Sequence, residues 1–438
     1  MLDRRLLMAA LLGWVPFACV LPDVSLDGRP CPCTDGYVCD EATQTCVISP
    51  SSGAGGQGGA PVSQGGNGGD PSTGGNPSTG GMGGAGDGGG PATLATPLEL
   101  SGDASTEFSF KVAGKFLLVA PKSSDYQLSR WFDLGTSDSL NLSDNNLLLE
   151  NLYEGWALAD SIQWYTYKDV TSSAGAVTDQ TPVRAVLVSS VRLPTAGGVD
   201  VVTEQTIYAS GRVSVTTLVA NNQDVDVQLT GSEYHHLTVS ESLEWAGANL
   251  GTHGAIFSRT MGAQPFPNVL IANLGPETGL GADHTYNRYW DGGPFALAPT
   301  DSHVAVGELV VYPSGMSAGE AQEHVTELRD PGLEISMGAT FSRVERGAYV
   351  VSVTGTPVQL GTSATHARMS PAFVLEGWTS PAWEIRRGGA VQASNDAPIG
   401  PDVIARYDEA AHELMFEYIG TIPAGAPAED TIYEVVVP

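Results

Sequence analysis

The segment VDVVTEQTIYASGRVSVTTLVAN, residues 199–221, decides the fold class of the chain. Two runs rich in β-branched residues flank a short turn at 209–211. On the return run, Val213, Val215 and Thr217 occupy alternate positions, which places them on one face of a strand. The segment therefore predicts a long antiparallel hairpin with a buried face.

Similar strand-like runs recur from residue 107 to the last residue, and Gly, Pro, Asn and Asp clusters predict turns between them. Examples are EFSFKVAGKFLLVAP (107–121), VRAVLVSSVRL (183–193), HVAVGELVVYP (303–313), GAYVVSVTG (347–355) and TIYEVVVP (431–438). These runs predict an all-β protein: a large antiparallel β-sandwich with a smaller C-terminal β unit.

One helix is predicted after residue 316. Ser317 and Glu320 have the spacing of a capping box, and 330–332, Asp-Pro-Gly, ends the helical pattern. Three apolar residues share one face of this helix: Ala321, Val325 and Leu328.

Residues 1–18 have the pattern of an export signal. Arg4 and Arg5 precede an apolar run at 6–15 that is too short to cross a bilayer. We therefore expect the chain to be exported.

The segment VPFAC, residues 15–19, resembles the lipobox of bacterial lipoproteins. In that family a lipid is attached to the cysteine, which becomes the mature N-terminus. Ala18 and Cys19 match the pattern, whereas Pro16 stands where the family usually has Leu, so ordinary secretion stays open. The resemblance implies lipidation at Cys19, and a lipoprotein anchored in the outer or cell membrane.

The remaining cysteines form an even set once Cys19 is set apart: Cys31, Cys33, Cys39 and Cys46. Four cysteines allow three connectivities, and the closeness of Cys31 to Cys33 favours a crossed or nested pair of disulfides. A zinc knuckle is the alternative, but the C-x-C-x5-C-x6-C spacing is unusual for zinc, and export favours disulfides. Residues 19–50 are therefore interpreted as an anchor cysteine and a small disulfide-rich module.

Residues 51–92 are dominated by glycine and repeat the motif PSTGG. Such a composition cannot bury enough apolar surface to offset its conformational entropy, which predicts a disordered linker. We expect the large β-sandwich domain at 93–335, with a second sandwich or the closing strands of the first at 336–438.

The charge balance excludes one class of partner. Lys and Arg number 20 and Asp and Glu 49, for a formal net charge of −29 at pH 7. Nucleic-acid binding needs clustered positive charge, so we expect no nucleic acid as a partner. None of the eight histidines has the H-E-x-x-H spacing, and no P-loop or G-x-S-x-G motif is present, so we expect no metal or cofactor.

The hairpin TEQTIYASGRVSVTTLVAN, residues 203–221, resembles hairpins in the large β-sandwich domains of galactose-mutarotase-like proteins. These domains occur in sugar epimerases, polysaccharide lyases and some glycoside hydrolases. The resemblance implies a super-sandwich over about 94–335, with carbohydrate as the ligand.

Residues 282–313 carry the side chains that a sugar site needs: aromatic faces for stacking, planar polar groups for hydroxyls, and groups that move protons. The substrate-binding candidates are Tyr286, Arg288 and Trp290, and the catalytic candidates are His284, Asp301, His303 and Glu308. The alternative interpretation is a long polar connection whose aromatic residues pack at the rim of the sandwich.

Two functions follow from these patterns. The first is a surface-tethered lipoprotein whose β-sandwich binds carbohydrate or envelope material, with a polysaccharide as partner. The alternative is a carbohydrate-active lyase, epimerase or hydrolase that uses a pair of His and carboxylate side chains as acid and base.

Overall fold

The N-terminal unit, Met1–Gly88, contains a short antiparallel hairpin. Its strands are β1 (Tyr37–Asp40) and β2 (Thr45–Ile48), and their register sets Cys39 opposite Cys46. The sites predicted at Cys19, Cys31 and Cys33, the signal at 1–18 and the whole linker at 51–92 lie outside the described residues. Lipid attachment and the disulfide connectivity therefore stay predictions.

The structure is a computed structural model, and it describes the following residues: 37–40, 45–48, 94–134, 147–158, 164–166, 173–192, 199–221, 226–239, 245–250, 253–259, 268–274, 280–282, 286–291, 295–300, 302–312, 317–329, 332–362, 365–427 and 431–438. Within these ranges, no helix is long and apolar enough to cross a membrane.

The unit Gly89–Pro438 is built mainly of strands, which confirms the all-β prediction. A short 3-10 turn lies at Lys122–Ser124. The strands before the helix are β3 (Glu99–Asp103), β4 (Glu107–Val112), β5 (Phe116–Pro121), β6 (Arg130–Asp133), β7 (Leu147–Leu158), β8 (Trp164–Thr166), β9 (Ser173–Gln180), β10 (Arg184–Arg192), β11 (Val199–Tyr208), β12 (Val213–Asn221), β13 (Val227–Val239), β14 (Trp245–Leu250), β15 (Gly254–Arg259), β16 (Asn268–Asn273), β17 (Leu280–Ala282), β18 (Tyr286–Asp291), β19 (Phe295–Leu297) and β20 (Ser302–Tyr312).

These strands form two antiparallel sheets, which we call the first sandwich. One sheet has the order β14-β15-β16-β20-β12-β11-β10-β9, and the other has the order β17-β18-β13-β7-β6-β5-β4-β3. The predicted hairpin is β11 and β12, with Ile207 opposite Val213. Apolar side chains from both sheets, among them Phe110 and Trp131 from one and Val215 from the other, fill one buried cluster between them.

The predicted helix is α1, Ala318–Arg329. The Oγ of Ser317 donates to the Glu320 carboxylate at 2.7 Å and accepts from the Glu320 N–H at 3.2 Å, so the capping box is present. The predicted apolar face is buried, and it packs on Ile256 and Leu270 of the first sandwich.

The strands after the helix are β21 (Glu334–Met337), β22 (Ala339–Glu345), β23 (Ala348–Val353), β24 (Val358–Gly361), β25 (Arg368–Met369), β26 (Ala372–Glu376), β27 (Glu384–Arg387), β28 (Ala390–Ser394), β29 (Val403–Asp408), β30 (Glu413–Tyr418), β31 (Thr421–Ile422) and β32 (Ile432–Val436). Two five-stranded sheets, which we call the second sandwich, have the orders β21-β24-β32-β27-β28 and β22-β23-β26-β30-β29. A separate apolar cluster that includes Phe373, Phe416 and Tyr433 lies between these two sheets.

The sheet β22-β23-β26-β30-β29 has apolar residues on both faces. Phe373 and Phe416 lie in the core of the second sandwich, whereas Val350, Val374 and Met415 join the apolar cluster of the first sandwich. This sheet therefore packs against the first sandwich with the face opposite to its own core. The predicted boundary between 93–335 and 336–438 stays a prediction, because strands on both sides of it share that cluster.

Polar contacts fix the junction of the two sandwiches. Arg346 forms a bidentate ion pair with Glu204 at 2.7 and 2.8 Å, and Arg212 donates to the backbone oxygen of Gly347 at 2.8 Å. Bidentate guanidinium pairs hold a defined geometry. The junction is therefore set by directional contacts as well as by apolar packing.

Candidate functional site

The predicted binding and catalytic residues lie on strands of different sheets. Tyr286, Arg288 and Trp290 occupy alternate positions of β18, whereas His303 and Glu308 belong to β20. β18 pairs with β13 in one sheet of the first sandwich, and β20 pairs with β12 in the other.

His303 and Glu308 are five positions apart on β20. In the regular register with β12, His303 lies opposite Val219 and Glu308 lies opposite Ser214. Strand positions alternate between the two faces, so these two residues occupy opposite faces of the sheet. His284 and Asp301 lie outside the described residues, and the roles predicted for this set stay predictions.

A polar cleft of about 190 Å³ lies at the junction of the two sandwiches. It is lined by Asp179 and Arg184 from the first sandwich and by Arg406, Asp408, Glu413 and Met415 from β29 and β30 of the second. Met415 belongs to the buried apolar cluster, so the cleft begins where the apolar contact between the sandwiches ends.

Three carboxylates lie opposite one another on neighbouring strands of this sheet, and two of them, Asp408 and Glu413, line the cleft. Glu413 of β30 lies opposite Glu376 of β26 on one side and opposite Asp408 of β29 on the other. We call Glu376, Glu413 and Asp408 the acid row. Like charges directly opposite each other destabilise a sheet, so repulsion within the acid row works against folding.

Arginines pair with the outer two members of the acid row. Arg343 donates to Glu376 at 2.8 Å, and Arg406 donates to Asp408 at 3.1 Å. Among the described residues, none forms an ion pair or a hydrogen bond with the carboxylate of Glu413. The middle carboxyl is therefore the one that a ligand reaches without displacing an arginine.

The pKa values of two neighbouring carboxyls move in opposite directions. Partial burial raises the pKa of Glu413; the charge of Arg184 opposes this rise, and the charges of Glu376 and Asp408 add to it. The pKa of Asp408 is lowered, first by the backbone N–H of Ala411, which donates to its Oδ1 at 3.1 Å. A proton is therefore held more tightly by Glu413 than by Asp408.

Arg184 forms the opposite wall of the cleft. Its side chain is only 10% exposed, and its Nε donates to Asp179 Oδ2 at 3.0 Å. The turn before it is fixed by Thr181, whose Oγ1 accepts from the N–H groups of Val183 and Arg184. A buried guanidinium held in this way presents its donors in one orientation.

The cleft therefore combines fixed donors with carboxylate acceptors. Carboxylates only accept hydrogen bonds when ionised, and guanidinium only donates, so together they match a ligand with groups that do both, such as hydroxyls. The different proton affinities of Glu413 and Asp408 also suit an acid and a base. Among the residues whose side chains the structure describes, no set of three or more His, Cys, Asp and Glu could hold a metal ion.

Sequence reasoning did not select these residues. The segment ELMFEY, residues 413–418, held one signal, because Glu413, Met415 and Glu417 alternate with Leu414, Phe416 and Tyr418. The second set fills the core, whereas the first puts two carboxylates on a face that is partly buried. Acidic residues at inward positions of a strand mark a candidate site.

No protein-family model and no curated protein matches the chain. Solved structures do match. A protein named as an aldose 1-epimerase from Klebsiella pneumoniae subsp. pneumoniae is 9% identical, with a TM-score of 0.33, over 51% of this chain and 83% of that chain. A galactose 1-epimerase from Lactobacillus acidophilus is 7% identical, with a TM-score of 0.29, over 51% of this chain and 100% of that chain.

A heparan sulfate lyase from Pedobacter heparinus is 11% identical, with a TM-score of 0.28, over 62% of this chain and 40% of that chain. The matching structures thus include sugar epimerases, the class that the hairpin at 203–221 resembles. At these TM-scores the likeness carries no argument about activity.

Proposed function

We propose that the protein is an exported, surface-tethered lipoprotein whose junction cleft binds a carbohydrate of the envelope or of an external polysaccharide. The observation that carries this proposal is the cleft itself, where the fixed Arg184 faces the unpaired Glu413. A sugar ring presents hydroxyls that donate to carboxylates and accept from guanidinium groups. Repulsion between Glu413 and its two neighbours in the acid row lowers stability, and hydrogen bonds from a ligand to Glu413 would offset that cost.

The N-terminal residues supply the tether in this proposal. A lipid on Cys19 holds the chain at the membrane, and the glycine-rich composition of 51–92 gives a spacer with a mean span of about 35 Å. The β-sandwich domains are then displayed away from the membrane surface. Mass spectrometry of the mature N-terminus tests this part, because an unmodified Cys19 or cleavage at another residue would contradict it.

A second candidate is a carbohydrate-active enzyme. It is favoured by the opposite pKa shifts of Glu413 and Asp408, which face each other in the register. In this function Glu413 donates a proton to the leaving oxygen and Asp408 accepts one. This pair differs from the pair predicted from His303 and Glu308, which stays a separate prediction.

A glycan array screened with the full chain tests the binding function, and assays for new reducing ends and unsaturated products test turnover. Glu413→Gln keeps the shape of the side chain and removes its charge, whereas Arg184→Met removes the buried donor. The matched control is Glu384→Gln, because Glu384 pairs with Arg386 on β27, in the sheet without the acid row.

We expect both cleft variants to weaken binding at least tenfold, about 1.4 kcal/mol, and the control to bind like the wild type. If Glu413→Gln retains binding and loses turnover, the enzyme function is supported over simple binding. A chain that binds no glycan and yields no product would overturn both functions.

A further inference from the structure

A groove of about 370 Å³ opens at one end of the second sandwich. β23 and β26 run parallel, so both strands end at the same edge of their sheet. The loops that follow them, 354–357 and 377–380, supply two walls of the groove, and Val437, which follows β32 of the other sheet, supplies a third. Loops at the end of a sandwich are common positions for binding sites.

The lining of this groove is polar but uncharged. Thr354, Thr356, Thr379 and Ser380 line it, and the other lining residues are Gly, Val and Trp. The Ser380 hydroxyl donates to the backbone oxygen of Ala382 at 2.8 Å, which leaves the three threonine hydroxyls as the side-chain groups for a ligand. A hydroxyl both donates and accepts, so it pairs well with another hydroxyl. A charged ligand would find no counter-ion in this lining, which favours a neutral ligand.

Hydrogen bonds hold both loops in place before any ligand arrives. The N–H groups of Thr354 and Gly355 both donate to the backbone oxygen of Gly338, at 2.8 and 3.0 Å. Trp378 Nε1 donates to the backbone oxygen of Ser380 at 2.8 Å. A site that is already ordered loses less entropy on binding.

The strands beside the groove leave no edge for a peptide. β23 lies between β22 and β26, and β26 lies between β23 and β30, so both are paired on both sides. An extended peptide adds to a sheet only at a free edge. The position of the groove therefore favours a small neutral ligand over a peptide strand.

We propose that this groove is a second binding site, for a neutral saccharide unit that hydrogen-bonds to the threonine hydroxyls. The groove shares no lining residue with the junction cleft. Its occupancy therefore does not depend on the function proposed for the cleft.

The test measures binding of the full chain to linear hexasaccharides by isothermal titration calorimetry. The neutral probes are hexamers of glucose, mannose and galactose; the other probes are a galacturonate hexamer and a neutral hexapeptide. Gly355→Trp fills the groove, because a Cβ at Gly355 meets no atom within 4 Å. Thr379→Val removes one hydroxyl with little change of shape, and the matched control is Thr340→Val on the exposed strand β22.

We expect a neutral hexasaccharide to bind, and Gly355→Trp to weaken it at least tenfold. Thr379→Val is expected to weaken it about fivefold, the equivalent of one hydrogen bond, and Thr340→Val to leave it unchanged. Thermal midpoints of the variants check folding, and Thr379→Val decides the result if Gly355→Trp does not fold.

The groove assignment is overturned if no neutral hexasaccharide binds, if the groove variants bind like the wild type, or if only the hexapeptide or the galacturonate hexamer binds. If only Glu413→Gln lowers the affinity for the hexasaccharide, binding at the cleft is supported and binding at the groove is overturned. If only Gly355→Trp lowers the affinity, binding at the groove is supported and the binding role of the cleft is overturned.

Discussion

Replacement of Glu413 by Gln is expected to stabilise the protein at neutral pH. Partial burial, together with the facing Glu376 and Asp408, outweighs the opposing charge of Arg184 and raises the pKa of Glu413 in the folded state. A carboxyl whose pKa is higher when folded destabilises the fold once it is ionised. This loss of stability is absent at pH values below the ordinary pKa of Glu, begins as the pH rises through that pKa, and is complete above the pKa in the folded state.

The structure gives the size of the effect. Two facing pairs of like charges cost about 0.2–1 kcal/mol each; burial adds to this cost and the attraction of Arg184 offsets part of it, for a net cost of about 1 kcal/mol. The unit Gly89–Pro438 has about 350 residues, for which the unfolding entropy is roughly 0.7 kcal/mol per kelvin. The thermal midpoint of Glu413→Gln should therefore rise by about 1.5 °C at pH 8.

Scanning calorimetry at pH 4 and pH 8 measures this gain, which should appear at pH 8 and vanish at pH 4. Asp408→Asn is the companion variant, because the pKa of Asp408 is lowered by the Ala411 N–H and by Arg406. The ionised Asp408 therefore stabilises the fold at pH values above the ordinary pKa of Asp, and this stabilisation is lost as the pH falls. Asp408→Asn should lower the thermal midpoint at pH 8. A lower midpoint for Glu413→Gln at pH 8, or an equal gain at both pH values, would refute the reasoning.

Two further variants test the packing of the fold. Tyr349→Phe removes the 2.7 Å hydrogen bond to Glu327, whose pKa is raised by burial, so urea denaturation should show a loss of about 2 kcal/mol at pH 8 and a smaller loss at pH 4. An equal loss at both pH values would contradict the role assigned to Glu327. Gly175→Ala places a methyl group against the ring of Tyr126 and should cost about 2 kcal/mol by the same assay, whereas unchanged stability would mean that the ring moves freely.

The elements that sequence predicted well are those set by local patterns. The hairpin at 199–221 became β11 and β12, because alternate residues such as Val213 and Val215 reach the core. The helix was predicted for a similar reason, since its cap and its buried face lie within one segment. Both predictions used contacts between residues close in sequence.

The pairing of distant strands was not predictable in this way. β12 pairs with β20 although about 80 residues separate them, and alternation identifies a strand without identifying its neighbour. For the same reason, the sequence did not reveal that Asp179 and Arg184 share a cleft with Glu413. A site was predicted at 282–313 because its aromatic and ionisable residues are close in sequence. The residues that line the cleft come from strands that are distant in sequence.

The acid row and the apolar contact occupy one face of a single sheet, and this connects stability with function. Where the face is covered by the first sandwich it carries Val350, Val374 and Met415, and beyond that cover it carries Glu376 and Glu413. Apolar residues at the two acidic positions would extend the contact and remove the repulsion. A sequence that keeps carboxylates there gives up stability, which is the pattern of binding and catalytic sites. Glu413→Gln is therefore expected both to stabilise the fold and to weaken ligand binding.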